Sequence, residues 1–248
     1  MTAARRPPVR PELVVLDMAG TTVQDDGLVI EAFKRAVATQ GIDPADEDFP
    51  DMMEYVQRTM GASKWTVFLK LFHGDELAAA AANREFERAY EDSITSGLCR
   101  PIEGAVDTME AFRQAGLKVA LTTGFSPATR DALVEELGWG RLIDLALSPA
   151  DTGHLKRGRP YPDLILTALM RLGASDVQAV VTAGDTAWDV RAGRAAGAGF
   201  VAGVLTGAHD AQTLEAASPD AVLPSVAAFG TEVMVRLSAA PRKGSKPS

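Results

Sequence analysis

VVLDMAGTT, residues 14–22, decides how the rest of the chain is read. An apolar run ends on Asp17 and is followed by Ala19, Gly20, Thr21 and Thr22, all small or hydroxyl-bearing. Apolar residues without polar alternation mark a strand buried on both faces. A carboxylate at the end of such a strand stands where open α/β sheets gather their ligands. Two residues on, where a second acid would suit proton transfer, the chain has Ala19.

Four more runs resemble the first: 118–122 (KVALT), 143–147 (IDLAL), 178–183 (QAVVTA) and 199–205 (GFVAGVL). Helical patterns over 104–115, 127–138, 161–172 and 187–197 separate them. Strands alternating with helices of this length predict an α/β fold with a parallel sheet covered on both faces. A short edge strand and a closing helix are expected from residue 221 onward. Between about 25 and 98 the strand rhythm stops, and EAFKRAVATQ, DMMEYVQRTM and DELAAAAANREFERAYEDS carry helical periodicity. This predicts a cap of roughly four helices over residues 25–98, above a core formed by 12–24 and 99–238. Residues 1–11 and 239–248, rich in Pro, Ala and Ser, read as disordered tails.

The chain has 248 residues, 46% of them hydrophobic and 23% charged. No apolar run approaches the ~20 residues a membrane helix requires. The leading arginines lack an apolar segment after them, which argues against a signal peptide. Cys99 is the single cysteine, so no internal disulfide is possible, and a reducing cytoplasm is the expected location. Setting aside Arg5, Arg6, Arg10, Glu12, Arg242, Lys243 and Lys246 leaves 19 basic against 32 acidic residues. Such a body is a poor nucleic-acid surface.

Parallel strands bring their carboxyl ends to one edge, where scattered residues can converge. Thr123 and Gly124 follow the second strand, Asp185 and Asp189 follow the fourth, and Arg159 precedes the 161–172 helix. The set suits phosphoryl transfer. Asp17 can attack phosphorus and carry an aspartyl-phosphate. Mg²⁺ held by Asp17 and Asp185 would offset the meeting of two anions. Thr123 and the Gly124 N–H can donate to phosphoryl oxygens, and Arg159 adds a fixed cation. Asp189, in the first turn of a helix, can orient metal-bound water. Each piece alone is better explained as a turn or helix cap; the signal lies in their order.

In that order the chain resembles the haloacid dehalogenase superfamily of hydrolases over nearly all of 13–238, and within it the phosphonatase-like (phosphonoacetaldehyde hydrolase) branch. Two features point to that branch: Ala19 replaces the usual second aspartate, and Arg159, in GRPYP, replaces the usual lysine. The resemblance implies a Rossmann-like core, an inserted cap, and a metal bound by Asp17, the Ala19 carbonyl and Asp185. It also implies substrate contacts from Gly20, Met60 and Phe125, and is compatible with a homodimer.

A missing acid is tolerable if the bond cut is carbon–phosphorus, because no alkoxide then needs protonating. The departing carbon needs an electron sink instead, such as the iminium of a cap lysine. RTMGASKWTVFLKLF offers Lys64, with Ser63 as N-cap, at the first position of an apolar helix. The helix dipole, Trp65, Phe68 and the absence of acids from Asp75 back to Glu54 all predict a depressed amine pKa. MGASK is similar to the phosphonatase segment that carries the Schiff-base lysine. Val67 stands where that branch has histidine, and Phe125 where it has tyrosine, so proton shuttling differs.

The expectation is a Mg²⁺-dependent hydrolase that cleaves the C–P bond of a small 2-oxoalkylphosphonate. One alternative is a phosphate-ester phosphatase in which Lys64 only grips substrate; another is a non-catalytic sensor of phosphate ligands. His73 and His154 read as loop or helix-end residues. His209 falls on the sheet edge that carries the site, and a structural role is favoured for it. Cys99 is placed at the junction of cap and core, as an inert thiol.

Overall fold

The computed structural model of the chain describes residues 9–153 and 157–240. In chain order, β1 (Leu13–Asp17) and a short β2 (Val23–Gln24) lead into α1 (Leu28–Ala38), α2 (Phe49–Arg58), α3 (Lys64–Leu71) and α4 (Glu76–Thr95). The chain returns through β3 (Arg100–Pro101), α5 (Ala105–Gln114), β4 (Lys118–Thr122), α6 (Pro127–Glu136) and β5 (Leu145–Leu147). It finishes with α7 (Asp163–Leu172), β6 (Val180–Gly184), α8 (Ala187–Ala196), β7 (Phe200–Val204), α9 (Ala211–Ala216), β8 (Ala221–Leu223) and α10 (Val226–Ala239).

Six strands form one sheet in the order β5-β4-β1-β6-β7-β8, and every pairing in it is parallel. The register aligns Asp17 with Thr122 across β1 and β4, and Leu16 with Ala183 across β1 and β6. Val14 and Leu16 face one apolar layer, with Phe112 of α5 and Phe229 of α10. Leu13 and Val15 face the other, with Leu164 and Ile165 of α7 and Val190 of α8. Because both faces of β1 are buried, its sequence shows no alternation.

β2 and β3 pair antiparallel where the chain leaves the core and comes back. Three of the four helices between them, α1, α3 and α4, are held together by rings: Phe33 lies 4.8 Å from both Phe68 and Phe86, centroid to centroid. Tyr90 packs at 4.5 Å on Phe125, which belongs to the sheet's loop edge, so the aromatic cluster crosses from insert to core. Buried Cys99 sits beside β3.

Differences from the sequence reading are local. β5 begins at Leu145 rather than 143, because the Asp144 carboxylate, not a backbone carbonyl, accepts from the Val119 N–H at 2.9 Å. Residues 177–179 form a 3₁₀ turn ahead of β6. The two-residue strands β2 and β3 and the short α9 carry too few residues for a periodic signal. Most of both tails, and His154, lie outside the described residues; Arg10, at the near end of one tail, donates to the Leu237 carbonyl. No helix among the described residues is long and apolar enough to cross a membrane.

Candidate active site

The carboxyl ends of β1, β4 and β6 meet under the helical insert. Asp17 closes β1, Thr123 and Gly124 follow β4, and Asp185 follows β6. All four lie around one small cavity of about 30 Å³, together with Ala19, Met60, Lys64, Phe125 and Arg159. The insert thus supplies Met60 and Lys64 to a cavity whose floor is the sheet edge. It has room for about one water, so a substrate enters only after the insert shifts.

Three acids converge here. One carboxylate oxygen each from Asp17, Asp185 and Asp189 lie within 4.8 Å of one another, and all three residues are buried. Arg159 binds two of them, Asp17 Oδ1 at 2.5 Å and Asp189 Oδ1 at 2.9 Å, and donates to the Thr122 hydroxyl at 2.9 Å. Asp185 accepts from the Thr21 hydroxyl at 3.0 Å and the Ala208 N–H at 2.8 Å. Asp189 is fixed by the Thr186 N–H at 3.1 Å and by a very short bond from the Thr186 hydroxyl, the capping box that starts α8.

The electrostatics show how much negative charge is gathered. Burial pushes Asp17 up to about 7 despite Arg159, with Asp185 adding to the rise. Asp185 and Asp189 are each pushed to about 6, again chiefly by burial. Three carboxylates against one guanidinium leave charge uncompensated, and hard oxygen donors this close suit a small divalent cation. The backbone adds to the fit. Gly20 has φ +85°, and a Cβ there would fall 2.5 Å from Asp185 Oδ2. Gly20 therefore presses on the acid cluster and lines the outer cleft rather than the inner cavity.

Lys64 begins α3, as the sequence indicates, although the Ser63 side chain makes no capping hydrogen bond. Lys64 as a residue is only 7% exposed. Its amine lies 5.4 Å from the Phe33 ring centroid, 5.5 Å from Phe125 and 5.6 Å from Phe86, inside a three-ring cage. Desolvation lowers it from 10.5 to about 8. The sequence places no acid between Glu54 and Asp75, but the fold brings three to this amine. Lys64 is not free of acids, because Asp25, Asp17 and Asp185 reach it through space and hold its pKa up against the desolvation. Asp25 itself is raised by burial and accepts from the Val29 N–H at 3.0 Å, steadying the start of α1.

His73 is exposed at the end of α3. His209 accepts from the Ala187 N–H through Nδ1 at 3.0 Å, and its backbone N–H donates to the Asp185 carbonyl at 3.3 Å. It braces the Asp185 loop and stands outside the inner cavity. Asp25, Phe33, Phe86 and Thr186 are site residues that sequence reasoning missed. Phe33 and Phe86 lie on helical periods that read as core, and only the fold turns them toward Lys64.

A model of the haloacid dehalogenase-like hydrolases matches residues 11–197. Phosphonoacetaldehyde hydrolase from Bordetella pertussis is 28% identical over 225 residues, 84% of this chain and 78% of that protein. The probable phosphatase IndB of Dickeya dadantii is 27% identical over 237 residues, 92% of this chain and 97% of that one. A solved structure from Oleispira antarctica, described as a phosphonoacetaldehyde hydrolase-like protein, superposes with a TM-score of 0.76. It is 21% identical and covers 100% of this chain and 99% of its own. With a family model spanning most of its length and the acid cluster at the sheet edge, this chain belongs to the haloacid dehalogenase-like hydrolases.

Proposed function

We propose that the protein cleaves the C–P bond of a small 2-oxoalkylphosphonate, with Asp17 as nucleophile and Lys64 as imine former. One observation carries this: a buried amine of lowered pKa lines the same closed cavity as the Asp17 carboxylate. An exposed recognition lysine would need neither the aromatic cage nor the desolvation.

The Lys64 amine condenses with the substrate carbonyl, releasing water and leaving an iminium. Asp17 then attacks phosphorus, and the C–P electron pair moves into the iminium to give an enamine. Protonation at carbon and hydrolysis return Lys64 and release the ketone or aldehyde; water attack on the aspartyl-phosphate returns Asp17 and releases phosphate. Thr123, the Gly124 N–H and Arg159 steady the phosphoryl oxygens. Asp17, the Ala19 carbonyl and Asp185 would hold Mg²⁺, with Asp189 beside them, and the ion supplies charge neutralisation at phosphorus. With no acid at 19, no group is provided there to protonate an alkoxide.

The similarity to a probable phosphatase along nearly its whole length supports a second reading: phosphate-ester hydrolysis with Lys64 as a charged handle. Phosphate release from 2-oxopropylphosphonate, compared with an ester of similar size, separates the two. C–P cleavage requires the phosphonate to be turned over and Lys64→Arg to lower its kcat by about 10³ or more, since covalent catalysis is lost. Turnover of the ester alone would favour the second reading.

A further inference from the structure

A second recess opens beside Lys64, where the helical insert meets the loops after β4 and β5. Its volume is about 320 Å³, and Lys64, Gly124 and Phe125 line both it and the inner cavity. A water's share of liquid volume is about 30 Å³, so the recess far exceeds what the hydrogen or methyl group on a small carbonyl would fill. Trp65, Pro127, Pro149 and Ala150 make its walls largely apolar.

The polar side of the recess holds Asn83 and Glu87, one turn apart on α4. Asn83 Nδ2 donates to Glu87 Oε1 at 2.8 Å, while the buried Asn83 Oδ1 has no hydrogen-bond partner. Burial raises the Glu87 pKa against the lowering effect of hydrogen bonds from the Asn83 and Ser126 side chains, both neutral, and the charge in its balance is the like charge of Glu91; among the described residues it has no basic partner. Two acceptors at the end of an apolar recess, one a carboxylate without a cation, call for a donor that carries positive charge.

We propose that this recess receives the far end of the substrate, a short aliphatic arm on the carbonyl carbon that ends in an ammonium group. The substrate class is then an amino-substituted 2-oxoalkylphosphonate, a ketone and not an aldehyde. The proposal rests on the Lys64 chemistry above, which places the carbonyl carbon at the shared wall of the two cavities. Arm length follows from the span between Lys64 and Glu87, and charge preference from Glu87.

Unreactive analogues test the recess apart from the chemistry. Calorimetry on the Mg²⁺-loaded protein would compare ω-aminoalkylphosphonates with plain alkylphosphonates, propyl through hexyl. The amino form is expected to bind at least tenfold tighter at one length. In Glu87→Gln the difference should fall below twofold while the plain alkylphosphonate keeps its Kd. Ala150→Leu, which narrows the recess without touching Glu87, should weaken the longer amino compounds and spare methylphosphonate. Equal Kd values for amino and plain forms at every length, or a preference that survives Glu87→Gln, would overturn the proposal. Phosphate release from 2-oxopropylphosphonate reports on Lys64 chemistry alone. An amino preference without release would therefore retain the ligand class and reject the C–P reading, and release without the preference would do the reverse.

Discussion

Lys64 is the residue on which the chemistry turns, and its burial has a stability consequence. Its pKa falls from 10.5 to about 8 on folding, so the folded protein binds this proton less readily than the unfolded chain. Below pH 8 the amine is charged in both states and the full cost is present; between 8 and 10.5 stability rises with pH as the cost is relieved. Lys64→Met, of similar length and uncharged, is therefore expected to stabilise the fold at pH 7. By the pKa difference the gain is on the order of 3 kcal/mol, and it should fade by about pH 10.5. Urea unfolding at pH 7 and pH 10 checks this, and a destabilised Lys64→Met at pH 7 would show that the amine is stabilised in place. Asp17, Arg159 and Asp185 were legible in the sequence because each follows or precedes an element whose period is plain. The Asp25 charge and the rings of Phe33 and Phe86 were not, since nothing local marks which way an insert helix faces.

At the level of elements, the insert and the sheet edge meet through backbone. The Lys64 N–H approaches the Gly124 carbonyl at 3.5 Å, and the Trp188 indole of α8 donates to the Arg58 carbonyl at the end of α2 at 3.1 Å. A Cβ on Gly124 would fall 2.5 Å from the Ala62 carbonyl oxygen and 3.3 Å from that of Gly61. Backbone cannot yield as a side chain can, so Gly124→Ala must push the insert away from the core. Because the clash is confined to the closed seam, kcat is expected to fall at least tenfold while the unfolding midpoint moves little. Steady-state kinetics beside a melting curve reads both; a normal kcat would mean that the seam opens without consequence. The sequence marked Thr-Gly as a strand-to-loop junction and gave Gly124 a role toward phosphate. Its second role, as the flat spot on which the insert rests, depends on a contact between residues about sixty apart in the chain and has no local signature.

Across the whole molecule, the parallel sheet and the helical insert were readable because apolar runs and helical periods are averages over many residues; the strand order was not, since nothing in a run names its neighbour. The two-residue strands β2 and β3 escaped, as averages fail over so few. The molecule also concentrates charge: Asp17, Asp185 and Asp189 sit together at the sheet edge with one guanidinium among them. Their repulsion is a cost of folding that a bound divalent cation would remove. Mg²⁺ at about a hundred times its Kd should stabilise the native state by about 2.7 kcal/mol, or roughly 5–10 °C in Tm for a chain of this size. Asp185→Asn should lose most of that response, and chelation should abolish activity. An unchanged Tm in Mg²⁺ would contradict a metal site built from these acids.

The most direct measurement is borohydride reduction in the presence of 2-oxopropylphosphonate, followed by peptide mass spectrometry. A reduced adduct should appear on Lys64, require the ketone, and still form, without phosphate release, in Asp17→Asn, whose nucleophile is gone but whose amine is intact. Turnover of the phosphonate with no adduct on Lys64 would contradict the account.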